Sequence, residues 1–239
     1  MKKIIKLLIL IILSLSVYFI YNFKKELKIN YVSIGDGFAR GINSYHDISY
    51  GYSDYLKDYL KKKKLLGEYN NFSYEDMMMK DIKKDILINI HNKDDNNIKR
   101  VLREANLLTI SMGINDLIYE IDVNNPQNNS SKEKILTKIV DKLDDDIKEI
   151  RKYYHGPIYL VGYYNFYPQN SVERNMLDKL NKKYQQFCGK NNITFIDNSN
   201  LDNKLFNYLE NPNCFYPNVN GYEKIYQNII DSINRWFKN

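Results

Sequence analysis

From Leu7 to Phe23 the chain is apolar almost without interruption, broken only by Ser14, Ser16 and Asn22. From Lys28 onward the pattern changes to short apolar runs that alternate with stripes at three-and-four spacing. At about 1.5 Å per residue, roughly 17–20 residues cross a hydrocarbon core of about 30 Å, so the first run predicts a transmembrane helix. Lys2, Lys3 and Lys6 precede it, whereas Lys24, Lys25 and Lys28 follow it together with Glu26. This balance orients the amino terminus inward and the remainder outward. A cleaved signal peptide is the competing reading. Cleavage at the small-residue site Ser14-Leu15-Ser16 would leave the apolar Val17–Ile20 on the product, which favours an uncleaved anchor. The expected organisation is an anchor and short linker over residues 1–27 and one domain over 28–239. The expected location is the cell membrane, single-pass, with the domain extracytoplasmic.

Beyond the linker, Lys28–Ile34 reads as a strand, Tyr52–Leu65 as a helix and Leu66–Phe72 as a short strand. Tyr74–Ile90 and Asn97–Glu104 read as helices, and Asn106–Met112 as a fully apolar strand closed by Gly113. A short helix is expected from Leu117, and Asn124–Ser131 reads as a loop. Ser131–Tyr153 has the clearest helical stripe, through Ile135, Leu136, Ile139, Leu143, Ile147 and Ile150. A strand over Ile158–Tyr163, a helix over Ser171–Asn191, a strand over Ile193–Ile196 and a helix over Gly221–Phe237 complete the pattern. Apolar strands alternating with amphipathic helices predict a single α/β domain, a parallel sheet covered on both faces. Ligands in such sheets bind beyond the carboxyl ends of the strands, so chemistry is expected after Ile34, Met112, Tyr163 and Ile196.

Composition narrows the function classes. Hydrophobic residues make up 44% and charged residues 27% of the 239, which excludes a disordered chain. The net charge of +6 is concentrated at the amino terminus: residues 24–239 hold 32 basic against 29 acidic side chains. The one strong basic run, Lys61–Lys64, ends a predicted helix and complements its dipole. No basic face interleaved with aromatics appears, so nucleic acid is not an expected partner. The two cysteines, Cys188 and Cys214, fall at opposite ends of the expected sheet and are not expected to pair.

Three segments at the strand ends resemble one family in order and spacing. Tyr31-Val-Ser-Ile-Gly-Asp-Gly-Phe-Ala-Arg-Gly41 is similar to the Gly-Asp-Ser nucleophile block of the SGNH, or GDSL, hydrolases. Ser111-Met-Gly-Ile-Asn-Asp116 is similar to their Gly-x-Asn-Asp block. Asn213-Cys-Phe-Tyr-Pro-Asn-Val-Asn-Gly-Tyr222 is similar to the final Asp-x-x-His block. The resemblance covers residues 28–239. It implies a flavodoxin-like three-layer α/β/α sandwich with a Ser-His-Asp triad, whose oxyanion hole uses the nucleophile's N–H, a second-block Gly N–H and an Asn side chain. No cofactor is expected, and no metal, because Asp36, Asp116 and His46 carry no metal-ligand spacing.

Each triad role needs an atom that this chain lacks. The nucleophile position is Gly37, without a side chain; the base position is Tyr216, a phenol of ordinary pKa near 10; the orienting acid position is Asn213. Attack on an ester requires a hydroxyl, an imidazole to take its proton and a carboxylate to hold the imidazole. Losing all three removes the acyl-enzyme route. Asn115, with Asp36, Gly113 and Asp116 around it, keeps the family pattern, while the second-block Gly aligns loosely with Tyr74 or with Gly67. Gly37 N–H and the Asn115 amide are expected to hold a ligand oxygen, with Phe215, Tyr216 and Tyr74 as apolar walls. Ser44 and His46, in the loop Gly41–Tyr50, are the substitute pair on the correct side of the sheet. Ser33 is expected to pack within its strand, and His91 and His155 to lie away from the site. The expected function is a catalytically degenerate, anchored protein binding a cell-wall glycan or acyl-ester ligand. The alternatives are an active esterase with a rearranged nucleophile and a structural envelope protein with a vestigial cleft.

Overall fold

The computed structural model describes residues 6, 9–19, 28–126, 128–211 and 214–236. Residues 9–19 form a helix, α1, whose apolar side chains are exposed. The expected span Leu7–Phe23 lies partly outside the described residues, and among those residues no helix is long and apolar enough to cross a membrane.

Five strands form one sheet: β1 (Ile29–Gly35), β2 (Leu66–Ser73), β3 (Leu107–Ser111), β4 (Ile158–Val161) and β5 (Thr194–Ile196). Every pairing is parallel, in the order β2-β1-β3-β4-β5. Buried on both faces, β3 and β4 are continuous apolar runs apart from Thr109 and Ser111. Thr109 accepts or donates a 2.9 Å bond with the Tyr31 hydroxyl inside the core. Ser33 is buried beside Thr109, within 3.4 Å of its hydroxyl.

The chain leaves β1 through a one-turn helix, α2 (Gly37–Arg40), and α3 (Tyr52–Lys62). After β2 come α4 (Met79–Ile88) and α5 (Ile98–Glu104), and after β3 come α6 (Ile114–Asn124) and α7 (Asn129–Arg151). Helix α8 (Val172–Lys190) joins β4 to β5, and a 3₁₀ turn (Ser199–Lys204) with α9 (Leu205–Tyr208) leads to α10 (Val219–Trp236). Helix α10 packs against α3, while α7 packs against α4, α6 and α8. The helices thus form two groups packed on the sheet, α3 with α10 and α4 with α6, α7 and α8, giving three layers.

Boundaries differ from the sequence expectation where side chains reach for backbone groups. The helix expected over Tyr74–Ile90 starts only at Met79, because Asp81 Oδ2 accepts from Met78 N at 3.0 Å and Asp116 Oδ2 accepts from Met79 N at 3.0 Å. Asp116 therefore caps α4 and sits in the first turn of α6, which begins at Ile114, three residues before the expected start at Leu117. Fully buried, its charge is compensated by Lys142 Nζ at 2.8 Å. Asn128 and Ser171 cap α7 and α8 through Ser131 N and Arg174 N. Both cysteines are buried and free; burial pushes the Cys188 thiol up to about 12.

Candidate functional site

The strand order reverses between β1 and β3, so the loops leaving these two strands diverge and open a crevice at their carboxyl ends. Gly35, the last residue of β1, has φ +145° and lies so close to β3 that a Cβ there would fall on the Ser111 carbonyl. That contact accompanies the 2.9 Å bond from Asp36 N to Ser111 O, which holds the turn against β3. Gly113, at φ +110°, makes the corresponding turn into α6, with Tyr184 and Met79 where a side chain would lie.

Asp36 is completely buried at the centre of this arrangement. Its Oδ1 accepts from Ser111 Oγ at 3.0 Å and from Phe38 N at 3.1 Å, and its Oδ2 accepts from the Tyr163 hydroxyl. Burial pushes its carboxyl up to about 7, against the opposing pull of these donors. Asp36 is thus the fixed post to which the β1 turn, β3 and the β4 exit are tied.

Gly37 opens α2 directly above it. A Cβ on Gly37 would fall on Cε1, Cζ and Oη of Tyr216. Tyr216 therefore fills the space into which a side chain at residue 37 would project. Tyr216 is only 2% exposed, and burial pushes its phenol well above its ordinary pKa. Its ring is packed on several sides: Phe215 at 4.4 Å, Phe38 at 5.7 Å and His46 edge-on at 5.8 Å between centroids. Phe38 and Phe215 stack at 6.0 Å, and Tyr164 donates to the Phe215 carbonyl at 2.5 Å. Tyr222 closes the far side, donating to the Ile42 carbonyl at 2.6 Å. Phe215 and Tyr216, two of the aromatic walls expected around a ligand, instead pack on one another, whereas Tyr74 is exposed.

The other candidates are committed as well. Asn115 was expected to donate to a ligand, but its Nδ2 donates to the backbone carbonyls of Glu75 at 2.9 Å and Met77 at 3.1 Å. The loop after β2 needs those bonds, because its carbonyls have no ladder partner there. Asn115→Ala is therefore expected to lower stability by about 1–2 kcal/mol in denaturant unfolding, the cost of leaving such groups unpaired, with no change in ester turnover. Ser44 is buried and donates to the Tyr216 carbonyl at 3.1 Å, whereas His46 Nδ1 donates to Glu75. The two share a loop but have separate partners. Tyr74 follows β2 at the carboxyl end, bonding to the Gly35 carbonyl at 3.1 Å, while Gly67 lies at the opposite end of the same strand. Only Tyr74 is thus placed near the second-block position. Asn213 lies outside the described residues.

His91 corrects the sequence expectation: it lines a crevice beside the site, together with His46, Arg40 and Glu75. The spacing between residues 40, 46, 75 and 91 shows no motif, because strand pairing and not local sequence brings them together. His155 lies at the opposite, amino-terminal end of the sheet, beside Ile29 and Leu107. Among the described residues no group of three His, Cys, Asp or Glu side chains is placed to hold a metal ion.

Residues 33–224 match the family of GDSL-like lipases and acylhydrolases. Among solved structures, a lipase, Lip_vut3, from a goat rumen metagenome superposes with a TM-score of 0.71 at 16% identity, covering 85% of this chain and 97% of that one. The acetylxylan esterase Axe2 of Geobacillus stearothermophilus gives 0.62 at 16% identity, covering 87% and 95%. These likenesses concern the fold. No curated protein matched the chain.

Proposed function

Because the chain belongs to the GDSL-like lipase/acylhydrolase family, we propose that it is a membrane-anchored, extracytoplasmic member in which ester hydrolysis has been replaced by ligand binding. One observation carries this reading: the Tyr216 ring occupies the place of the nucleophile side chain that Gly37 lacks. A nucleophile, a base and a free oxyanion donor are each needed for acyl transfer. The first position has no side chain, the second is a buried phenol, and the Asn115 amide is bound to the loop. The lysine-flanked run Leu7–Phe23 supports the anchor. The ligand class follows from the family's chemistry and from the polysaccharide named in one structural neighbour: an acylated glycan of the cell envelope.

A second reading, an active esterase, is favoured by the His46–Glu75 pair, an imidazole held by a carboxylate beside the family site. Ser44, the nearest hydroxyl of that reading, is buried and spent on a backbone carbonyl. Treating the full chain with a fluorophosphonate probe tests the two. The binding reading expects no labelling, equal to that of Ser44→Ala. Labelling lost in Ser44→Ala establishes the esterase. Pull-down of the unlabelled chain on purified envelope glycan separates a binding role from a vestigial cleft, and carbonate washing of membranes tests the anchor.

A further inference from the structure

Beside the closed turn, separated from it by Tyr216 and the His46–Glu75 pair, lies a crevice of about 510 Å³. Sites for small ligands run from about 300 to 1,000 Å³. Most polar groups that line it are already bound. Asn71 Nδ2 donates to the Ala39 carbonyl and to the Tyr69 hydroxyl, and its Oδ1 accepts from Ser73 N. Asn92 donates to Asn70 and accepts from Asp94 N and Asn96 N. Glu75 accepts from His46, and His91 donates to Asp95.

Beside the second ring nitrogens of His46 and His91, three lining groups remain that can donate. Arg40, half-buried at the end of α2, has no carboxylate or carbonyl acceptor for its guanidinium among the described residues, and neither has the Lys93 ammonium. Ser73, 7% exposed, keeps its hydroxyl buried without a partner. A buried hydroxyl left unpaired costs about 1–3 kcal/mol, a cost that an acceptor in the crevice removes. A planar guanidinium pairs best with an oxyanion, through two parallel bonds. The mouth adds flat and apolar surface: the Tyr74 ring, 40% exposed, and Ile48, 65% exposed.

We infer that this crevice binds a sugar ring bearing an oxyanion, a uronate or a sugar phosphate, with Arg40 clasping the anion and Tyr74 against the ring. The inference rests on the glycan-binding reading and assigns its site and the charge of its ligand. Calorimetric titration of the full chain in mild detergent with glucuronate, glucose 6-phosphate, glucose and inorganic phosphate tests it. At least one sugar acid is expected to bind at least about 10-fold more tightly than glucose, about 1.4 kcal/mol, and more tightly than inorganic phosphate. Arg40→Gln is expected to weaken that sugar acid about 10-fold or more, Arg40→Lys less, and the distant Lys134→Gln not at all. Which acid binds more tightly identifies the anion. Equal binding of glucose, equal binding of inorganic phosphate, unchanged affinity in a folded Arg40→Gln, or no heat with either acid overturns the inference. The two readings fail separately: fluorophosphonate labelling does not depend on Arg40. Envelope-glycan pull-down that survives Arg40→Gln keeps the glycan reading and removes the crevice from it.

Discussion

Gly37→Ser alone is expected to yield a less stable protein that still does not turn over a short-chain nitrophenyl ester. The new Cβ would overlap the Tyr216 ring, which Phe38 and Phe215 hold in place. Overpacking of this kind costs about 1–3 kcal/mol, read as a lower midpoint in denaturant. The hydroxyl would also face a phenol that cannot accept its proton at neutral pH. The combination Gly37→Ser, Asn213→Asp and Tyr216→His is expected to behave differently. The smaller imidazole vacates part of the ring's space and supplies the base, a role worth about 10²–10⁴-fold. Turnover at least about 10²-fold above the native chain is the expected result. The gain stays below that of an intact family member, because Asn115 remains tied to Glu75 and Met77 and one oxyanion donor is worth about 10²–10³-fold. A native chain that already matches the triple variant would overturn the proposed loss of hydrolysis.

The second large effect is a fall in stability as pH rises from about 4 to about 8. Burial raises the carboxyl of Asp36 from 3.8 to about 7 and that of Asp146 from 3.8 to about 8, the latter also through the nearby Asp116 and Asp145. In each case the folded state binds the proton more tightly than the unfolded chain does. The stabilisation is therefore complete below the unfolded value near 3.8 and is lost as pH climbs through the folded value. For Asp36 the three-unit difference corresponds to roughly 4 kcal/mol at most, at about 1.4 kcal/mol per unit. Denaturant unfolding from pH 4 to pH 9 reads this slope directly. Asp36→Asn, which copies the protonated group, is expected to reduce the slope between pH 4 and 7 by about half and leave the part due to Asp146, which runs from about pH 4 to about 8. A wild-type curve that rises through this window would refute the assignment.

The sequence alone was enough for the class of fold because its signal is periodic and redundant. The apolar runs at Leu107–Ser111 and Ile158–Val161, and the stripe through α7, each repeat a burial pattern that only a parallel sheet between helices satisfies. It also carries the resemblance in the segments Tyr31–Gly41, Ser111–Asp116 and Asn213–Tyr222, and the expectation that residues 37, 213 and 216 lack the triad's atoms, since residue identity needs no coordinates. Tertiary structure decided what those residues do now. Asn115 bonds to the β2 loop, Asp116 caps α4, and Tyr216 covers Gly37, across sequence separations of 37 to 179 residues. The joining of Arg40, Ser73 and Lys93 in one crevice has the same origin. Local patterning reports which face of an element is buried, but only the packed sheet and its crossovers determine which distant side chain fills the space against that face.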